Sequence, residues 1–299
     1  MAGAFTAIDL SQLAPPQVVE ELDFETILSA MIGSLQERSP AFDALVESDP
    51  AYKVLEVAAY RELLIRQRVN DAVRGVMLAY ATGADLDQIG ANYSLARLVV
   101  DEGDPDAVPP VPPTLESDTD FRRRIQLSPE GYTSAGSKGS YEFHALAADA
   151  AVADAQAVSP EAGKVVVYIM ARDGDGAADV DLVAQVQAAL SADTLRPLTD
   201  QLEVKSATVI PYSVVAELTV RPGPDGSIVQ QDAVEAVNAY VAERHRLAAD
   251  VTLSGLYAAL HQSGVQNVSL TSPVADVQVS EGEVSYCSSV TVTIGGTGV

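Results

Sequence analysis

The stretch Asp49–Thr82, DPAYKVLEVAAYRELLIRQRVNDAVRGVMLAYAT, decides the architecture of this chain. Pro50 suits the first position of a helix, where no amide bond is lost, and Asp49 before it is placed to cap the first free amides. Gly83 supplies a stop. Between these signals Gly75 is the single glycine, and no proline follows Pro50. Val54, Ala58, Ile65, Val69, Ala72, Val76 and Ala79 follow one another in steps of three, four and seven, the spacing of an apolar stripe on one helix face. Leu55, Leu64, Val73 and Met77 widen the stripe, and Arg61, Glu62, Arg66, Arg68, Asp71 and Arg74 fill much of the remainder. A helix of about thirty residues spans about 45 Å, more than a compact domain needs. An amphipathic helix is ordinarily a core helix; the length and the wide stripe favour a helix that packs in a bundle with helices of other chains.

Working outward, residues 1–22 read as an extended arm, broken by Pro15 and Pro16, with Phe5, Ile8, Leu10 and Leu13 either docking on a neighbour or fraying. Residues 23–98 read as a helical, bundle-forming region: a first helix Asp23–Glu37 with Phe24, Ile27, Leu28, Met31, Ile32 and Leu35 on one side, a turn after Pro40, the long helix, and a short helix Asp85–Tyr93. Residues 99–115, including VDEGDPDAVPPVPP, read as a proline-rich acidic linker. Residues 116–210 read as a helix pair (Glu116–Leu127 and Tyr141–Ala150) followed by a first α/β unit with strands 152–158, 164–171 and 202–210 around a helix 179–192. Residues 211–299 read as a second α/β unit: a strand from Ser213, set off by Pro211, helices 228–247 and 253–262, strands 265–270, 274–279 and 290–294, and a mobile tail GGTGV. The expected class is α+β: an N-terminal helical region with one long helix, a Pro-rich linker, then C-terminal mixed α/β domains.

The totals bound the function. The chain has 299 residues and a formal charge of -24, with 42 acidic against 18 basic side chains. Such a surface repels phosphate backbones and anionic lipid, so neither nucleic acid nor membrane is an expected partner. The one cysteine, Cys287, forms no intrachain disulfide, in keeping with folding in a reducing cytoplasm. No apolar run reaches membrane-spanning length, and the N-terminus lacks the basic and apolar regions of a signal peptide.

No constellation for chemistry emerges. His144, His245 and His261 are far apart and lack metal-ligand spacing, and His245 reads as a solvated residue at a helix end. GYTSAGSK, Gly131–Lys138, misses the phosphate-loop pattern because Ser137 intervenes before Lys138 and a helix, not a strand, precedes it. Asp173-Gly174-Asp175-Gly176 lacks the glutamate that an EF-hand requires at position twelve, where Ala184 stands, and reads as a tight turn. Asp85 with Asp87, and Asp118 with Asp120, sit where they favour helix starts. Arg122-Arg123-Arg124 is placed either to clamp an acidic ligand or to pair with carboxylates within or between chains; the acidity of the chain favours pairing. No enzyme is expected: no catalytic, cofactor-binding or metal-binding residue is assigned, and no cofactor or small-molecule substrate.

Three stretches together resemble one family. ATGADLDQIGANYSLAR (81–97) is similar to the A-x-G-x-x-L-D-x-x-G segment of the baseplate J-like proteins of contractile phage tails. ESDTDFRRRIQLSPEGYTSAGSKGSYEFHA (116–145) resembles the family's acidic cap, F-R-x-R and G-S-x-x-x-Y signature, and SPEAGKVVVYIMARDG (159–174) resembles the strand that follows. The resemblance spans nearly the whole chain. It implies a structural, non-enzymatic baseplate wedge component in the virion tail, synthesised and assembled in the host cytoplasm. It further implies that two copies join a second wedge protein, that six wedges close a ring around the hub and spike, and that the ring rearranges to release sheath contraction. Other baseplate and sheath-proximal tail proteins are the further partners. On that reading the partner-facing residues come from Phe24, Ile27, Leu28, Met31, Leu35, Val54, Ala58, Ile65, Val69 and Val76, some of which pack within the chain instead. The alternatives are a baseplate component of a phage-derived bacteriocin or contractile injection system, and, in a different class, a soluble carboxylate-dependent hydrolase, which needs an acidic pair in a cleft.

Overall fold

A computed structural model describes residues 8–298 apart from 9, 11, 12, 15, 17, 19, 134, 135, 193, 194 and 224. The chain divides into two compact units, one within residues 7–97 and one formed by Leu98–Val299. Among the described residues no helix is long and apolar enough to cross a membrane.

The first unit is helical. Helix α1, Phe24–Arg38, starts at Asp23, whose Oδ2 accepts from Thr26 N at 2.8 Å. A 3-10 turn, Pro40–Phe42, leads to α2, Pro50–Gly75. Pro50 holds the first position as expected, but Asp49 does not cap the helix: its Oδ2 accepts from Val46 N at 3.0 Å, in the turn before. Nor does α2 reach Thr82. It stops at Gly75, where a Cβ would stand 2.8 Å from Asp85 Oδ2, so this glycine admits the close approach of the next helix. At 26 residues α2 spans about 39 Å. Helix α3, Gly83–Ala91, follows, and Gly83 (φ +52°) opens that helix instead of closing the one before it. Arg97 Nε reaches Asp87 Oδ1 of α3 at 2.5 Å. The core of the unit is the α1–α2 crossing: Ile27, Leu28 and Ala59 are buried, ringed by Phe24, Met31, Ile32, Tyr52, Leu55 and Leu63. The described part of the arm lies on the same unit. Buried Asn70 receives Glu20 N on its Oδ1 at 3.1 Å and donates to Glu20 O at 2.9 Å, and Tyr80 Oη donates to Leu13 O at 3.3 Å. Phe5 and Pro15 lie outside the described residues.

The second unit opens on an ordered ribbon where the prolines suggested a linker. Strands β1, Val99–Asp101, and β2, Thr114–Leu115, pair antiparallel, and an Asp104–Val111 bridge extends them. Gly103 (φ +68°) makes this possible, since a Cβ there would lie 2.3 Å from Val111 O. Helices α4, Asp118–Gly131, and α5, Lys138–Ala148, begin at Ser117 and Ser137, whose hydroxyls accept from Asp120 N and Ser140 N. They cover a sheet of order β3-β4-β5: hairpin strands β3, Val152–Glu161, and β4, Lys164–Ala171, then helix α6, Val180–Leu190, and β5, Gln201–Ser206, parallel to β4. Phe121, Ile125, Val167, Ile169, Val186 and Leu190 are fully buried.

A second sheet follows, of order β7-β6-β8. Strand β6, Thr208–Val220, is central; helices α7, Gly226–Arg244, and α8, Leu253–Leu260, lead to antiparallel β7, Val265–Ser272, and β8, Glu283–Thr297, runs parallel to β6. Pro211 lies inside β6, not between strands: pairing with β7 begins only at Val215, so one side of β6 is open at Pro211, where a proline is tolerated. The expected strand 274–279 is a loop that touches Val251 through a bridge at Val277. Gly295 and Gly296 of the tail belong to β8, and beyond its end Gly298 N donates to Val220 O at 2.9 Å. Met170, Ala207 and Val284 form a small core joining the two sheets, and Asp154 Oδ2 on β3 accepts from Leu247 N at 3.1 Å.

Candidate assembly interface

Helix α2 has two apolar faces. The inner one, Tyr52, Leu55, Ala59 and Leu63, packs on α1. The outer one carries most of the stripe read from the sequence. Val54 is 68 % exposed, Ile65 66 % and Val69 51 %; Val76, just past the helix end, is 75 % exposed. Ala58 lies half-buried on the same side. Of the α1 candidates, Ile27 and Leu28 are buried in the chain's own crossing, Phe24 and Met31 pack beside them, and Leu35 is half-buried. Apart from half-buried Leu35 and Ala58, the candidates separate into an internal α1 set and an exposed set on and just past α2. Val57, Tyr60 and Leu64 also stand on the exposed side. Val57 and Tyr60 were not singled out in the sequence, although Val57 lies three residues after Val54 and is found by extending the same period.

The charges of α2 are divided between its faces as well. Arg66 binds Glu62 Oε1 at 2.6 Å and Glu20 Oε2 at 2.8 Å, bonds that hold its guanidinium above its ordinary pKa, the Glu62 bond most. Lys53 pairs with Glu56 at 2.9 Å, which raises the ammonium pKa in the same way. Arg61 and Arg68 are exposed among Val54, Leu64, Ile65 and Val69 on the outer face and make no ion pair among the described residues. A rigid helix presenting separated aliphatic side chains and donors is suited to side-on packing against another helix.

The groups screened for chemistry are engaged in structure. Arg124 binds Glu116, Arg123 Nη2 binds Asp154 Oδ1 at 2.6 Å, and Arg172 Nη1 binds Asp120 Oδ2 at 2.7 Å and, through Nε, Ala150 O at 2.9 Å. These side chains surround a void of about 10 Å³, room for a single water. The arginine run Arg122–Arg124 therefore contributes at least two intrachain pairs. Beside GYTSAGSK a hollow of about 190 Å³ holds Lys138 but also Asp200, whose carboxylate accepts from Tyr141 Oη at 2.8 Å and repels a phosphate. Asp175 Oδ1 accepts from Ala177 N in the turn before α6, and among the described residues no cluster of His, Cys, Asp or Glu has metal-binding geometry. His245 is not a solvated helix end: its Nδ1 lies 2.7 Å from Ser285 O, fastening α7 to β8.

Comparison with known proteins identifies the family. In order along the chain, residues 47–104 match the Baseplate J-like N-terminal domain, 133–206 the Baseplate J-like central domain and 212–293 the Baseplate J-like protein C-terminal domain. The chain is 44 % identical over 296 residues to baseplate protein J of Escherichia phage P2, an alignment covering 97 % of this chain and 98 % of that protein.

Proposed function

The chain belongs to the baseplate J-like family, and from that premise we propose that it is a wedge component in which two copies join a second tail protein through their helical units. It is a structural protein of a phage tail baseplate and a component of the virion tail. In the finer reading, six wedges close a ring around the central hub and spike, and rearrangement of that ring releases sheath contraction. One observation carries this reading: α2 turns a row of aliphatic side chains to solvent while its opposite face already has its partner. Exposed aliphatic side chains aligned on one helix face are the kind of surface that a partner helix covers. The pairing of the arginines with carboxylates in the second unit supports a scaffold role, since it leaves those charges engaged in holding the fold.

The test is the mass in solution, by light scattering, of the chain alone and co-expressed with its neighbouring tail proteins. A stable complex with two copies of this chain per partner is the expected result. A monomer that ignores every neighbour contradicts it.

A further inference from the structure

Resting on the reading of α2 as a partner surface, we propose that its outer face takes an acidic amphipathic helix of a different chain and rejects a second α2. Arg61 and Arg68 stand seven residues apart in the apolar row, about 10.5 Å along the axis, both on the exposed side. On the same helix Lys53 and Arg66 have carboxylate partners, whereas among the described residues Arg61 and Arg68 have none. The acids of α2 are committed elsewhere: Glu56 to Lys53, Glu62 to Arg66, and Asp71 Oδ1 to Gln67 Nε2 at 2.7 Å. Covering this face with a helix desolvates two guanidiniums, which costs more than the apolar contacts return unless carboxylates meet them.

Self-pairing in either of two symmetric registers fails that requirement. Two α2 helices packed antiparallel about the midpoint between Leu64 and Ile65 place Arg61 of one against Arg68 of the other, twice. Packed parallel in register, each arginine meets its own copy. Both symmetric arrangements bring like charges together. A foreign helix with carboxylates seven residues apart and aliphatic residues between them satisfies both arginines, and the mismatch with α2 itself supplies discrimination. The local charge of the helix points the same way: α2 carries five basic residues (Lys53, Arg61, Arg66, Arg68, Arg74) against three acidic (Glu56, Glu62, Asp71), a net +2 in a chain of -24. An acidic helix is attracted to α2 and repelled by the chain as a whole.

The experiment uses the full chain as its own probe. Wild type, the double variant Arg61→Glu/Arg68→Glu, and their equimolar mixture are compared by sedimentation velocity at low and high salt, with Ile65→Asp added as the control that identifies pairing through α2. The mixture is expected to pair at least about tenfold more tightly than either component alone. That pairing weakens with salt and disappears with Ile65→Asp. A second double variant, Arg61→Gln/Arg68→Gln, is expected to self-associate more than the wild type because the repulsion is removed. Self-pairing of the wild type that Ile65→Asp abolishes, or a mixture no tighter than its components, overturns the proposal. Failure of the wedge reading has a different signature: baseplate complexes that survive Ile65→Asp.

Discussion

The guanidinium of Arg124 meets the carboxylate of Glu116 at two points, Nε to Oε1 and Nη2 to Oε2, both at 2.8 Å, with both side chains buried. Glu116 Oε2 also accepts from Leu98 N at 3.3 Å, and Glu116 N donates to Leu98 O at 2.9 Å. The pair therefore ties the base of the β-ribbon to α4. Removing one partner strands the other charge in the interior. Arg124→Met is expected to destabilise the chain by about 3–5 kcal/mol in urea unfolding, while the double replacement Glu116→Leu/Arg124→Met recovers most of that loss. A single substitution costing under about 1 kcal/mol contradicts this role.

Asp154 performs a similar function between the two sheets. Its Oδ1 accepts from Arg123 Nη2 and Ala155 N, and its Oδ2 accepts from Leu247 N beyond the end of α7. Asp154→Ala leaves an arginine and two amides without their acceptor, an expected loss of about 1–3 kcal/mol. Hydrogen exchange localises the effect: the Leu247 amide exchanges faster while amides of the α1–α2 crossing do not change.

The pH dependence has a signature at His144. Its Nε2 is buried with no hydrogen-bond partner among the described residues, and burial holds its pKa below the ordinary 6.5, outweighing a hydrogen bond to the Gly131 backbone. The unfolded chain therefore binds the proton first. The contribution of His144 to stability is fully present above about pH 6.5 and is lost as pH falls from there toward the folded value. Glu142, raised above 4.5 by burial, works in the opposite sense just above that value. The measurement is thus the difference between the melting curves of wild type and His144→Phe across pH. The variant is expected to lose less stability on acidification below 6.5; an unchanged slope contradicts the assignment.

The α1–α2 crossing predicts a size limit. Ala59 is fully buried between Ile27 and Leu28, and Ala59→Leu forces extra methylenes into that contact. A cost of about 1–3 kcal/mol to the helical unit is expected, read from circular dichroism melting.

Much of this architecture is legible in the residues. Pro50 and the 164–171 strand are local signals, and local structure follows them. Where expectation and structure part, a distant contact decides. Nothing near Gly75 announces that Asp85 will pack against it and end α2 eight residues before Gly83. The prolines of 105–113 hide a ribbon whose register depends on Gly103 meeting Val111. Pro211 breaks a strand only where both edges are paired, and pairing is a property of the sheet. Periodicity finds the apolar rows of α2 but does not state which one faces α1, because Tyr52, Leu55, Ala59 and Leu63 repeat at the same period as Val54, Ala58, Ile65 and Val69. The exposed residues of the candidate site are therefore a result of the fold, and their chemical character is a result of the sequence.

The central claim is that the outer face of α2 is where another chain binds. The direct measurement is made on Ile65→Asp: its melting temperature alone, and the mass of its complex when co-expressed with neighbouring tail proteins. Ile65 contributes little to the chain's own core, so the melting temperature is expected to stay within about 2 °C of wild type. The complex is expected to be lost, because the new carboxylate replaces an apolar contact and lies within one turn of Arg61 and Arg68, drawing both away from a partner's carboxylates. A variant that assembles normally, or one that unfolds on its own, contradicts the account.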